Sequence, residues 1–98
     1  MISVTETAQN KIKELRAAME VPRDYLLRVG MKGSGCGSSM GFMIGFDKIR
    51  PEDKTYIVED LKILVDKRHD MYVMGMVVDY QFRDGLEGFT FDSPIQQS

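Results

Sequence analysis

Only one stretch of this 98-residue sequence has the periodicity of a long helix. Thr5 supplies an N-cap oxygen ahead of the stretch, and Pro22 follows it and helps to end it. The pattern predicts one amphipathic helix of about four turns, and packing alone explains its apolar face. The apolar residues that recur at helical spacing are Ala8, Ile12, Leu15 and Met19.

The rest of the chain changes to a period of two or to short apolar runs, which are typical of β-strands. A second, short helix is expected from Lys67 to about Met74, capped by Asp66 and ended by Gly75. Residues 83–88 are expected to form a turn region. The predicted strands are residues 2–4, 26–31, 40–46, 55–58, 61–65, 76–82 and 89–91. Strands that do not alternate with long helices predict a mainly β, α+β domain rather than a doubly wound parallel sheet.

The length and composition predict a single domain over residues 1–94, followed by a polar tail at residues 95–98. The net charge of −2, without a long block of like charge, argues against nucleic acid or an anionic membrane as the main partner. No apolar run reaches the roughly 18 residues that span a bilayer, and the N-terminus lacks a secretory signal pattern. A single cysteine excludes an intrachain disulfide, so the cytoplasm is the expected compartment.

Cys36 is the only cysteine, and it lies in a loop rich in glycine and serine between two predicted strands. Loops of small residues let the backbone approach a ligand, a metal or a second chain. A thiolate favours soft or borderline metals, iron–sulfur clusters among them, but such centres take several ligands. The residues alone therefore support a complete metal site only if Cys36 is shared across an oligomer or completed by outside ligands.

Other kinds of chemistry fit this sequence poorly. A cysteine nucleophile needs a base, and the only histidine, His69, is flanked by charged residues and is expected at the surface. The loop at residues 33–39 lacks the Gly-Lys-Ser/Thr ending of a P-loop and leads into a strand instead of a helix. Asp66 is expected to be a helix cap and not a ligand. Asp79 lies inside an apolar strand, so it needs a hydrogen-bond partner if it is buried.

Several short segments occur in a specific order and spacing along nearly the whole chain. They are Ile2-Ser3-Val4-Thr5 with Ala8, Leu27-Arg28-Val29-Gly30 leading into Gly35-Cys36, Val65-Asp66, Tyr72, Gly75, Val78-Asp79-Tyr80 and Gly88-Phe89-Thr90-Phe91-Asp92-Ser93-Pro94. Each segment alone is a weak signal. In this order they resemble the A-type iron–sulfur cluster carriers, also called HesB-like proteins.

The resemblance implies two small mixed sheets in a distorted barrel-like arrangement with flanking helices. It also implies dimers or tetramers that bind iron or an iron–sulfur cluster and pass it to recipient proteins. In that family one cysteine follows the glycine after the second main strand, and Cys36 matches that position. Two more family cysteines form a Cys-Gly-Cys near the C-terminus, where this sequence reads Ile95-Gln96-Gln97-Ser98. Of the three cysteines that bind the cluster or iron in that family, this sequence therefore has only the one at Cys36.

Three functions stay open at this stage. The first is an iron–sulfur cluster assembly or carrier-like protein that binds iron or a cluster through Cys36, with further ligands from a second subunit, a partner or glutathione. The second is a family member without a cluster that acts as a protein-binding or regulatory module. The third is a thiol-based redox role for Cys36. None of them requires enzymatic turnover, and the expected partners are a second copy in a homodimer or tetramer and donor or recipient iron–sulfur proteins.

Overall fold

The computed structural model of the protein describes residues 2–32 and 41–92. Within these residues the seven predicted strands and both helices are confirmed, although the second helix is divided into a 3₁₀ turn and a single α-helical turn. In chain order the elements are β1 (Ser3–Val4), α1 (Glu6–Ala18), β2 (Tyr25–Lys32), β3 (Gly41–Lys48), β4 (Asp53–Val58), β5 (Leu61–Asp66), a 3₁₀ turn (Lys67–His69), α2 (Asp70–Val73), β6 (Val77–Arg83) and β7 (Leu86–Asp92). The predicted domain end at residue 94 and the tail at 95–98 lie outside the described residues.

Thr5 begins α1 and also attaches it to the sheet. Its Oγ1 accepts a hydrogen bond from the backbone N–H of Ala8 at 3.1 Å and donates one to Asp79 Oδ1 at 2.6 Å. Asp79 is half-buried and accepts a further hydrogen bond from Gln81 Nε2. The hydrogen bond from Thr5 is the main reason that the pKa of Asp79 lies below its usual range. The expected need of Asp79 for partners is thus confirmed, and the helix cap provides one of them.

The strands form two mixed sheets, as predicted. One has the order β1-β6-β7 and the other β3-β2-β5-β4; the pairs β1–β6 and β2–β5 are parallel, and the remaining pairs are antiparallel. Phe42 of β3 and Phe91 of β7 pack together across the two sheets, with ring centroids 5.8 Å apart. No ladder joins the two sheets within residues 2–32 and 41–92, so the barrel-like arrangement is not a closed barrel.

The connection between β6 and β7 is tighter than the sequence pattern indicated. It is a two-residue turn at Asp84 and Gly85, whose φ angles are +52° and +79°. An aspartate followed by a glycine tolerates this left-handed backbone, so two residues suffice to reverse the chain. Consequently β7 begins at Leu86 instead of Phe89, and Glu87 and Gly88 belong to the strand.

The hydrophobic core lies between the two sheets and α1. Its buried members come from β1, α1, β2, β5, α2 and β6, and the largest fully buried side chains among them are Ile12, Ile63, Met76, Val29, Val65, Val73 and Val78. Apolar burial of this kind is the main favourable term in folding. No helix in the described part of the chain is both long and apolar enough to cross a membrane.

The four-stranded sheet is also covered on its other face. Its edge strands, β3 and β4, are consecutive in the chain, so residues 49–52 must cross from one edge to the other. Arg28 of β2 contacts both ends of this crossing, because it donates to Asp47 and to the Lys48 carbonyl on one side and to Asp53 on the other. Leu64 points away from the core cluster, yet it is fully buried on this face.

Candidate functional site

Cys36, the predicted cluster- and metal-binding residue, lies outside the described residues. Lys32 and Gly41, which bracket residues 33–40, are paired with each other at the end of the antiparallel β2–β3 ladder. The segment that contains Cys36 therefore joins the two ends of a β-hairpin, as expected for a loop between two strands.

His69 lies beside the end of β2 that leads into the Cys36 segment. Its Nδ1 accepts a hydrogen bond from the backbone N–H of Met31 at 3.3 Å. The β2–β5 ladder ends at Arg28 and Leu64. Beyond that point β2 has no strand neighbour on this side among residues 2–32 and 41–92, and His69 lies there instead. The expectation of a surface histidine is thus wrong in part, because His69 is half-buried and hydrogen-bonded to a strand.

This hydrogen bond determines what His69 can do chemically. Because Nδ1 accepts a hydrogen bond from the backbone N–H of Met31, the neutral imidazole ring carries its hydrogen on Nε2. A ring nitrogen that carries a hydrogen has no lone pair for a metal ion, and the other nitrogen is already occupied by Met31. In this position His69 supports the end of a strand.

Gly30 makes room for the imidazole ring. A Cβ at this position would stand 3.1 Å from His69 Nδ1, closer than an ordinary van der Waals contact. The structure therefore explains the last two residues of the segment Leu27-Arg28-Val29-Gly30. Val29 is buried in the core, and Gly30 leaves space for the ring of His69.

We expect Gly30→Ala to lower the free energy of unfolding by about 1–2 kcal/mol, because the added methyl group overpacks the ring of His69. The change should also shift the nitrogen NMR signals of the imidazole. The matched control is Gly45→Ala in the adjacent strand, where an added Cβ has no atom within 4 Å. The control should be neutral or slightly stabilising. Equal stabilities and an unchanged imidazole spectrum would contradict this account of the two residues.

The acidic side chains near this end of the sheet, Asp66 and Asp70, form hydrogen bonds with neighbouring side chains and backbone. Asp66 accepts from the backbone N–H and the guanidinium of Arg68, which together hold the pKa of Asp66 well below its usual range. The prediction that Asp66 is a helix cap is confirmed.

Asp70 accepts hydrogen bonds from the Tyr56 hydroxyl and, at 3.1 Å, from Lys54 Nζ. The hydrogen bond between Asp70 and Tyr56 is the main reason that the pKa of Tyr56 is raised to about 12. Residues 2–32 and 41–92 contain no group of three or more His, Cys, Asp or Glu side chains that could hold a metal ion. The donor atoms in the described part of the chain therefore do not form a metal centre of their own.

Among the described residues, Arg28 lies at the centre of a cluster of charged side chains that the sequence analysis did not single out. Its guanidinium donates to Asp47 at 2.9 Å and to both carboxylate oxygens of Asp53 at 2.7 and 2.6 Å. The side chain of Asp53 is 0% exposed and that of Arg28 is 12% exposed, so this is a largely buried, bidentate ion pair. One signal in the sequence points to it, since an arginine inside an apolar strand needs a partner.

The fold of this chain is similar to those of IscA and SufA. The structure of IscA with the 2Fe–2S cluster aligns with 96% of this chain and 86% of that chain at a TM-score of 0.75 and 19% identity. The structure of Escherichia coli SufA, described as involved in the biosynthesis of iron–sulfur clusters, covers 95% of this chain and 85% of its own, with a TM-score of 0.73 and 20% identity.

The sequence comparisons are more specific than the fold. The family model for iron–sulphur cluster biosynthesis matches residues 1–98. The iron–sulfur cluster insertion protein ErpA of Acinetobacter baumannii strain SDF is 40% identical over 91 residues, which are 90% of this chain and 77% of that protein. The uncharacterized protein SufA of Bacillus subtilis is 34% identical over 94 residues, 95% of this chain and 77% of its own length. The chain belongs to the iron–sulphur cluster biosynthesis family, which confirms the resemblance seen in the sequence.

Proposed function

We propose that this chain carries iron or an iron–sulfur cluster on Cys36 and delivers it to a recipient protein. The observation that carries the proposal is the match of the whole chain to the iron–sulphur cluster biosynthesis family. Cys36 is the ligand proposed because it is the only cysteine in the sequence. The name of the ErpA relatives, which describes cluster insertion, supports delivery as the role.

The remaining ligands come from outside the chain. An iron–sulfur cluster is usually held by four thiolates, and one chain of this sequence supplies one. Two copies in a homodimer or tetramer supply two, and glutathione or the cysteines of a donor or recipient protein supply the others. Ligation of this kind is easily exchanged, which suits a protein that passes its cargo on. The cytoplasm, where thiols stay reduced, is the compartment that fits this chemistry.

We expect Cys36→Ser to remove nearly all cluster binding. After anaerobic reconstitution with ferrous iron, sulfide and glutathione, the unaltered protein should contain iron and sulfide in equal amounts and absorb visible light. The variant should retain less than about a tenth of both, because a serine hydroxyl does not ionise near neutral pH and is a poor ligand for iron–sulfur centres. Met43→Ser, an exposed position on the same hairpin, is the control and should load normally. Equally low uptake by all three proteins would exclude the carrier function.

A second candidate is a protein-binding or regulatory module that binds no cluster. The observation that favours it is the donor set: one cysteine in the sequence, and no metal-holding group of side chains in the described residues. This function predicts a colourless protein whose unfolding is unchanged by chelators. A stoichiometric cluster in protein purified without air would exclude it.

A further inference from the structure

An apolar cleft lies between the C-terminal half of α1 and the two sheets. Its volume is about 340 Å³, which is within the range of pockets that bind small molecules. Every side chain that lines it is apolar or aromatic, among them Leu15 of α1, Ile44 and Phe46 of β3 and Phe89 of β7. The cleft therefore suits the apolar part of a small ligand.

A second cleft of about 340 Å³ adjoins the first and has charged groups in its wall. Ile12, Leu27 and Phe46 line both clefts, so the two spaces are neighbours. The charged residues that line the second cleft are Arg16, Asp60 and Lys62. Together the two clefts have an apolar end and a charged end.

Arg16 is fixed at the charged end without a carboxylate partner. Its guanidinium donates to the carbonyl oxygens of Pro22, at 3.3 Å, and of Tyr25, and lies 5.2 Å from the centre of the Phe46 ring. The side chain is half-buried, and none of the ion pairs within residues 2–32 and 41–92 includes it. Two of the five N–H donors of the guanidinium are used by the carbonyls, so others are available to an anion.

The remaining charges of this end leave it positive. Lys62 is exposed and forms no ion pair in the described part of the chain. Asp60, the only acid in the lining, is 3.2 Å from Lys13 Nζ, which compensates its charge. A ligand with a negative group is therefore attracted here, and one with a positive group is repelled.

We propose that the two clefts together bind an aliphatic carboxylate, a free fatty acid of medium chain length. The carboxylate accepts hydrogen bonds from Arg16 and is attracted by Lys62. The alkyl chain passes the ring of Phe46 and leaves water in the apolar cleft. An apolar cleft alone would accept any apolar molecule, and the two cations select one with an anionic head. The site does not include Cys36, so this ligand is independent of the proposed cargo.

The probe is decanoate, added below its micelle concentration to the full chain without iron or sulfide and followed by amide NMR. It should shift the signals of Leu15 and Gly45, which line the apolar cleft, with a dissociation constant of about 1 mM or lower. Butanoate, which has the same head and six fewer methylene groups, should bind at least about tenfold more weakly. Decyltrimethylammonium, which has the same chain and a positive head, should also bind at least about tenfold more weakly.

Two variants test the cations. Arg16→Met should weaken decanoate binding at least about tenfold. Lys62→Glu, a change at an exposed position that should leave the fold intact, should weaken it at least about fivefold. Binding of decan-1-ol, which has no charge, should be the same in Lys62→Glu as in the unaltered chain. The matched control is Lys67→Gln, because Lys67 is exposed and lines neither cleft, and it should bind decanoate normally.

Three results would overturn the proposal. The first is decanoate that shifts no signal from the lining of the clefts at about 10 mM. The second is equal affinity for decanoate and decyltrimethylammonium, which would show apolar adsorption without selection by charge. The third is Lys62→Glu that keeps full affinity for decanoate, or that loses decanoate and decan-1-ol binding equally. None of these results bears on iron and sulfide uptake by Cys36, so the two proposals are tested separately.

Discussion

Replacing Arg28 by methionine is expected to lower the free energy of unfolding by about 3–5 kcal/mol. The substitution keeps most of the apolar stem but leaves the carboxylate of Asp53, which is fully buried, without its bidentate partner. It also releases the Lys48 carbonyl and Asp47, so both ends of the crossing at residues 49–52 lose their common contact. Urea unfolding near neutral pH measures the loss.

Arg50→Met is the matched control for this prediction. Arg50 also forms an ion pair with Asp47, at 3.0 Å, but its side chain is more than half exposed. Exposed pairs contribute little, so the control should lose less than about 1 kcal/mol. Similar losses from Arg28→Met and Arg50→Met would show that the buried pair has no special role in stability.

The same ion pair predicts a pH dependence. The hydrogen bonds from Arg28 are the main reason that the pKa of Asp53 lies below its usual range, so the folded protein binds this proton less readily than the unfolded chain. The stabilisation is therefore complete above the ordinary carboxyl pKa of about 3.9 and is lost as the pH falls below it. The deficit of Arg28→Met should be largest near neutral pH and should shrink below about pH 4. A deficit that does not change with pH would mean that the charge of Asp53 is not its cause.

Ile63→Ala is expected to cost about 2–5 kcal/mol, the second large effect on stability. Ile63 is 0% exposed in the middle of β5, where it contacts the core between the two sheets. Removing its side chain loses apolar burial and leaves a cavity that the surrounding strands cannot easily fill. The control is Ile57→Ala on the neighbouring strand, where the same residue type is 64% exposed. Thermal unfolding should show a large loss for the first variant and a change within about 0.5 kcal/mol for the second.

The periodicity of apolar residues was sufficient to predict the helices and strands of this fold, but it was not sufficient to predict the contacts between them. The helix from Thr5 onwards and the strands follow from the spacing of apolar residues, because burial of one face imposes that spacing. The turn at Asp84 and Gly85 was placed too broadly, because the sequence near Gly88 contains a second glycine that also suits a turn. That glycine lies within a strand, which a local pattern does not exclude.

The roles of Arg28 and His69 depend on partners far away in the chain. Arg28 pairs with a residue 25 positions later, and His69 accepts from one 38 positions earlier. No local spacing encodes such contacts, although a lone arginine in an apolar strand signals that one exists. Cys36 was singled out by its uniqueness and by the resemblance to a family, and its role as a ligand stays a prediction.

The parallel pairing of β1 with β6 has a consequence for how the protein is made. Thr5 and Asp79, which connect the two strands, are separated by 74 positions in the chain. During synthesis α1 therefore leaves the ribosome long before its partner strand exists, and its apolar face waits without a surface to cover it. Contacts this distant in sequence form late and slow the folding of small domains. The N-terminal helix therefore completes its packing only after the last hairpin has been synthesised.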